Sequence, residues 1–259
     1  MPRPWADTPA QLIKETGFLQ RSDIPADHFV ISMAQIMATA HNILLRGFNS
    51  SYNQCLGVDK GNPADIADFL IFNQAVYHLT HAHHLTEEEV FFPDVEEIAG
   101  VKGLMESNVQ QHREFDERLE KFRKYVFETD VKDYDGQTLK DTLDDLLSKL
   151  QVHLHEEVET MLDLVKYDEE KLKVAWKKMT NYAHESHDKF LVTPAAFGCS
   201  DSDQVIDGKV FHYPPTTPEL IETIQNVFEP KYSGAWRFNP CDTSGTPRPL
   251  PFLNPEVAN

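Results

Sequence analysis

Six residues occupy positions where helical periodicity calls for an apolar side chain, and all six are types that bind transition metals: His41, His83, Glu87, His112, His153 and Glu157. His41 falls between Met37 and Leu44. His83 and Glu87 continue a stripe that runs from Val76 to Val90. His112 lies between Val109 and Phe115, and His153 and Glu157 lie between Leu150 and Met161. The period that turns the leucines inward turns these residues inward with them. Buried imidazoles and carboxylates are costly unless something compensates them, and a cation shared by two Glu and four His would do so. The spacing His-x-x-x-Glu occurs twice, as His83–Glu87 and His153–Glu157. Residues four apart share a helical face, about 6 Å apart in rise, so each pair can close on one metal region. Mixed nitrogen and oxygen donors of intermediate hardness suit iron, manganese or zinc better than calcium or copper(I).

Four helices must position this set. The first runs from about Asp27 to Gln54 on the stripe Val30, Ala34, Met37, Leu44, Phe48 and Tyr52. Gly57 and Gly61 interrupt the chain, and Asn62-Pro63 opens a second helix, with Asn as cap and Pro in the first turn. That helix carries Phe69, Phe72, Val76 and Val90 and is expected to end at Pro93. A third is expected from about Val101 to Phe127, and a fourth, after the turn Asp133–Gly136, on Leu139, Leu143, Leu146, Leu150, Met161 and Leu164. A short fifth segment spans about Glu169 to Tyr182. In an antiparallel bundle the distances of the six residues from their turns bring all of them to a common layer.

Beyond Tyr182 ten prolines, from Pro194 to Pro255, break up any long helix, yet aromatic residues such as Phe197, Phe211, Tyr213, Tyr232, Trp236 and Phe238 persist. The expected fold is therefore all-α: an arm over residues 1–27, then an up-down-up-down four-helix bundle with a short fifth helix over 28–182. An irregular, Pro- and aromatic-rich C-terminal extension over 183–259 is expected to pack on the bundle.

Neighbouring histidines compete for the inward role. His155 and Glu159 share the paired spacing but lie about 200° around the helix from His153. His84 and Glu88 sit one step off the inner stripe, His78 and His81 face elsewhere, and His184, His187 and His212 fall in the tail region. The stripe positions are preferred, with His84 or His81 as a hydrogen-bonding partner of a ligand imidazole. A single inward histidine is ordinarily a satisfied core residue. Six polar residues on four helices at one level are not.

The formal net charge of -18 excludes nucleic acid and anionic membrane as partners, because phosphate contact needs clustered Lys and Arg. No apolar run approaches a membrane span, and the opening Met1–Asp7 lacks the core of a secretory signal. Cys55, Cys199 and Cys241 are too few and too scattered for a disulfide framework or thiolate cluster. The expected setting is reducing and cytoplasmic. No Gly-rich phosphate loop or Gly-x-Ser-x-Gly elbow is present.

At these residues the chain resembles hemerythrin-like proteins of the HHE cation-binding family. The resemblance rests on Ala40-His41-Asn42 with Arg46-Gly47, on His83 to Glu87 running on to Val90-Phe91-Phe92-Pro93, on Gln111-His112-Arg113, and on His153 to Glu157. It covers about residues 28–165, and the stretch Trp236-Arg237-Phe238 resembles extensions of some eukaryotic members. The resemblance implies a non-heme di-iron site bridged by Glu87 and Glu157, with His41 and His83 toward one iron and His112 and His153 toward the other. Oxygen carriers of the family have a second histidine four residues after the one matching His112; here that place is Asp116. The departure argues against simple reversible oxygen carriage. It leaves either a carboxylate ligand or an open position through which a substrate, dioxygen or nitric oxide reaches the metal.

The expected function is a di-iron oxidoreductase that binds and activates O2, or a related diatomic such as NO, or oxidises a small organic substrate with it. The second reading is a non-catalytic O2, NO or iron binding, storage or sensing protein. A third is a structural site, with zinc in place of iron.

Overall fold

In a computed structural model of the protein, residues 5–58, 60–185 and 187–253 are described; residues 1–4 of the expected arm, and Pro255 of the tail, lie outside them. The structure is mostly helical. The long helices are α1 (Phe29–Val58), α2 (Pro63–Thr86), α4 (Glu106–Glu128) and α5 (Gly136–Asp163). Shorter ones are α3 (Phe92–Ala99), α6 (Glu169–Glu185), α7 (Val192–Gly198) and α8 (Pro218–Thr223). Two-residue strands β1 (Val205–Ile206) and β2 (Lys209–Val210) pair antiparallel. No helix among the described residues is long and apolar enough to cross a membrane.

Local chemistry starts the helices. The Asn62 side chain accepts from the N–H groups of Ala64 and Asp65 at 2.9 and 3.1 Å, and Pro63 needs no donor at the first position of α2. The Asp135 carboxylate accepts from Thr138 N–H at 2.8 Å to open α5.

Three expected boundaries are corrected, the first being that α1 runs on past Gln54 and through Gly57 to Val58. Pro93 does not end the second helix: Glu87–Phe91 forms a wide π turn, in which Phe92 N–H reaches back to the Glu87 carbonyl, and α3 continues to Ala99. Proline lacks a donor and crowds the preceding turn, and the wider winding accommodates both defects by placing Pro93 in the first turn of α3. Gly100, at φ 64°, ends that helix. Residues 101–105 form turns around Gly103, also at positive φ, so the next helix begins at Glu106 rather than about Val101.

The four long helices close a ring: α1 lies against α5, α5 against α4, α4 against α2 and α2 against α1. At Gly47 α1 and α2 come close, since a Cβ there would meet a Val76 methyl at 3.1 Å. The apolar interior divides into two clusters. One contains Leu44, Phe48, Phe69, Phe72, Phe115, Leu119, Phe122, Leu146 and Leu150. The other contains Met33, Met37, Val90, Phe91, Val95, Met105, Met161 and Leu172. Between them in sequence, on all four helices, fall the predicted metal-binding residues.

Both chain ends are sewn to this ring through polar residues of α1. Asn42 holds the backbone N–H and carbonyl of Ile13 at 2.7 and 2.8 Å, Asn49 holds Ala6 and Ala10, and Asn53 holds Trp5 and Thr8. The extension is more ordered than expected, because its prolines start helices as well as break them: Thr217 caps α8 and Pro218 fills its first turn. Phe238 rests on Phe69 and Phe252, with ring centroids 4.8 and 5.0 Å away. Its carbonyl accepts from Ser50 and Gln54 at 2.6 and 3.1 Å, and Arg237 pairs with Asp65 and Asp68. Trp5 Nε1–H, donating to the Arg248 carbonyl at 2.9 Å, joins the two ends.

Phe238 is fully buried, so Phe238→Ala is expected to destabilise the protein by about 3–5 kcal/mol in chemical denaturation. A change under about 1 kcal/mol would show that the extension does not share the bundle's core.

Candidate metal centre

Four helices contribute to one polar layer. His41 comes from α1, His83 and His84 from the last turn of α2, Glu87 from the start of the π turn, His112 from α4, and His153 and Glu157 from α5. Their donor atoms fall into two groups, each within 4.8 Å of one another: His41, His83, Glu87 and Glu157 in one, and His84, His112 and His153 in the other. The carboxylates connect the groups. Glu157 Oε2 lies 3.3 Å from His41 Nε2 and 3.4 Å from His153 Nε2. Glu87 places Oε1 3.1 Å from His83 Nε2 and Oε2 3.8 Å from His112 Nε2.

The outer nitrogens of the rings fix what the inner ones can do. His41 Nδ1 lies 2.6 Å from the Leu154 carbonyl, which only accepts, so Nδ1 carries the hydrogen and Nε2 is left with its lone pair. His112 Nδ1 donates in the same way to Glu88 Oε1 at 2.6 Å, and His153 Nδ1 to Gln111 Oε1 at 3.1 Å. Asn108 Nδ2 donates to Glu157 Oε1 at 2.9 Å and orients the carboxylate. The His112 and His153 Nε2 atoms face each other at 3.1 Å, and with both Nδ1 atoms donating outward the neutral rings would present two lone pairs to one another. Two lone pairs at that distance repel unless a cation lies between or beside them.

The electrostatics agree. Burial depresses His83 and His84 well below the usual histidine range and takes His153 down to about 3, so these rings are neutral. Burial, with the charge of Glu157, pushes Glu87 well above the carboxylate range. Both Glu87 oxygens, Glu157 Oε2 and both His84 nitrogens are buried without a hydrogen-bond partner. Such orphaned atoms are rare in proteins. Lone pairs and carboxylate oxygens converging in a buried layer fit a bound metal, and the His/Glu clusters could hold one. His83 is the least enclosed of the six predicted residues, its side chain 18% exposed.

The structure thus brings together all six residues marked in the sequence. It leaves out His155, whose Nε2 meets the Gln11 carbonyl at 2.8 Å, and exposed Glu159 and His81. Asp116 is exposed on α4 and belongs to neither donor group. His84 is the correction. Expected one step off the inner face as a hydrogen-bonding partner, it is buried in the layer, has no hydrogen-bond partner among the described residues, and lies edge-on to His112 and tilted to His153, at 4.6 and 5.2 Å between centroids. Its helix is covered by α1, α4, α6 and α7 together, which widens the buried arc beyond one stripe. The outer partners are instead Glu88, Gln111, Asn108 and the Leu154 carbonyl.

Comparison with known proteins agrees with this layer. The hemerythrin HHE cation binding domain matches residues 32–165. A dimeric xanthone biosynthesis cluster protein from Cryptosporiopsis sp. (strain 8999) is 33% identical over 256 residues, covering 99% of this chain and 96% of that protein. No solved structure matches.

The orphaned donors predict that metal binding stabilises the fold. Ferrous iron added anaerobically to metal-free protein at a hundredfold excess over its Kd should raise unfolding stability by about 2.7 kcal/mol, and Glu157→Ala should lose most of that gain. Glu88→Gln, which weakens the acceptor holding His112, should lower metal affinity about 10–100-fold in a chelator competition; unchanged affinity would remove Glu88 from the account.

Proposed function

The chain belongs to the hemerythrin HHE cation-binding family, and from that premise we propose that it is a non-heme di-iron protein that binds and activates O2, or a related diatomic such as NO, as an oxidoreductase. The observation that carries the reading is the double reach of the carboxylates. Glu87 and Glu157 each approach imidazoles of both donor groups, as bridging ligands between two ions would. We read the four long helices as an up-down-up-down bundle, which lets donors from all of them meet in one layer.

In this reading His41 and His83 hold one ion, His112 and His153 the other, and the two carboxylates offset the charge of both. Mixed imidazole and carboxylate donors suit iron, manganese or zinc, and the family resemblance selects iron among them. Bound iron would supply the redox steps of oxygen chemistry. The protein's part is to position and to exclude water. Asn108 keeps Glu157 aligned, and the Leu154 carbonyl, Glu88 and Gln111 keep three rings turned inward. Phe92 and Phe115 stand 5.8 and 5.6 Å from the His112 ring as dry walls. In this reading a diatomic ligand approaches beside His83, whose side chain is 18% exposed. The relative's place in a xanthone biosynthesis cluster supports a small organic molecule as the oxidised substrate.

The tight enclosure of the layer favours a second reading, in which the protein binds O2, NO or iron for storage or sensing without turnover. The two separate in one experiment. Anaerobic ferrous protein is exposed to air while absorbance and oxygen are followed. Net oxygen consumption coupled to an oxidised product supports the oxidoreductase. A spectrum that reverses on removing oxygen, without net consumption, supports the binding protein. Glu157→Ala should abolish either response, and about one zinc per chain with no iron would contradict both.

A further inference from the structure

We propose that His84 is a metal ligand, supplying a third imidazole to the ion held by His112 and His153. The inference rests on the di-iron reading above and adds a residue that neither the HHE spacing nor the helical stripe marks. His84 is only 6% exposed, and neither ring nitrogen has a hydrogen-bond partner among the described residues. A core histidine retained for packing keeps at least one nitrogen bonded, because an unpaired buried polar atom costs the full desolvation of the group. The ring has donor atoms within 4.8 Å of those of His112 and His153. It lies against Phe115, centroids 4.8 Å apart, a surface that offers no acceptor. What lies near it are ring nitrogens of His112 and His153, and an electron-pair acceptor would satisfy all three at once.

The placement also answers the departure at Asp116. The resemblance puts a third imidazole on α4 at that position, where this chain has an exposed carboxylate outside both groups. His84 reaches the same ion from α2. Successive helical residues point about 100° apart, so His83 and His84 diverge to the two donor groups while Glu87 touches both. One ion thereby receives three imidazoles and the other two. The coordination that Asp116 fails to provide is restored from a different helix rather than left open.

The test uses the full chain, prepared metal-free and loaded anaerobically with ferrous iron. Wild type, His84→Phe, His84→Gln and the exposed neighbour His81→Gln are compared for iron per chain and for imidazole scattering in X-ray absorption. Wild type and His81→Gln should hold about two irons, with on average about 2.5 imidazoles per iron. Both His84 variants should bind the second iron at least about tenfold more weakly and show fewer imidazoles per iron. Should the variants misfold, paramagnetic NMR of wild type labelled with 13C-histidine decides: five strongly shifted ring sets support the proposal, four overturn it. His84 variants that bind two irons with wild-type affinity and scattering overturn this inference alone. A wild type that binds no iron overturns the di-iron reading and this inference with it.

Discussion

Two carboxylates share one buried layer, and the rest of the structure is organised by that constraint. Glu87 and Glu157 are buried to within about one per cent, and between them they leave three oxygen atoms without a hydrogen-bond donor. The rings of His83, His84 and His153 beside them are held neutral by the same burial. Such a layer is unfavourable in isolation and becomes favourable when positive charge enters it. The polar layer is the point at which folding and ligation become one free energy.

Each structural peculiarity can be traced to that layer. The apolar interior is split in two because the layer crosses all four helices. The π turn begins at Glu87 itself, and π turns widen a helix locally and re-aim the side chains at their start. The polar groups just outside the layer, Glu88, Gln111, Asn108 and the Leu154 carbonyl, are spent on orientation. The arm and the extension bind α1 and α2 through Asn42, Asn49, Ser50 and Phe69. They reinforce the helices that carry His41, His83, His84 and Glu87.

Much of this was legible in the residues. His41, His112 and His153 interrupt stripes that are otherwise apolar, and a buried stripe announces its exceptions. The helix start at Asn62-Pro63 follows from cap chemistry that is local in sequence. His84 was not legible as a member of the layer, because periodicity assigns one buried face and α2 is covered on several sides. Pro93 misled for a related reason: its helix-breaking tendency is local, while the π turn that absorbs it lies in a segment packed by distant residues, with Phe91 on Trp176 at 5.4 Å between ring centroids. The order within the extension depends on contacts such as Arg46 with Gln204 at 2.7 Å, which join residues far apart in the chain and leave no local pattern.

The most direct test of the central claim is anomalous diffraction at the iron edge from crystals of the iron-loaded protein. The account predicts two peaks about 3.5–4 Å apart, both within coordination distance of Glu87 and Glu157, one flanked by His41 and His83 and the other by His112 and His153. A single peak, or peaks only among the surface carboxylates, would contradict it.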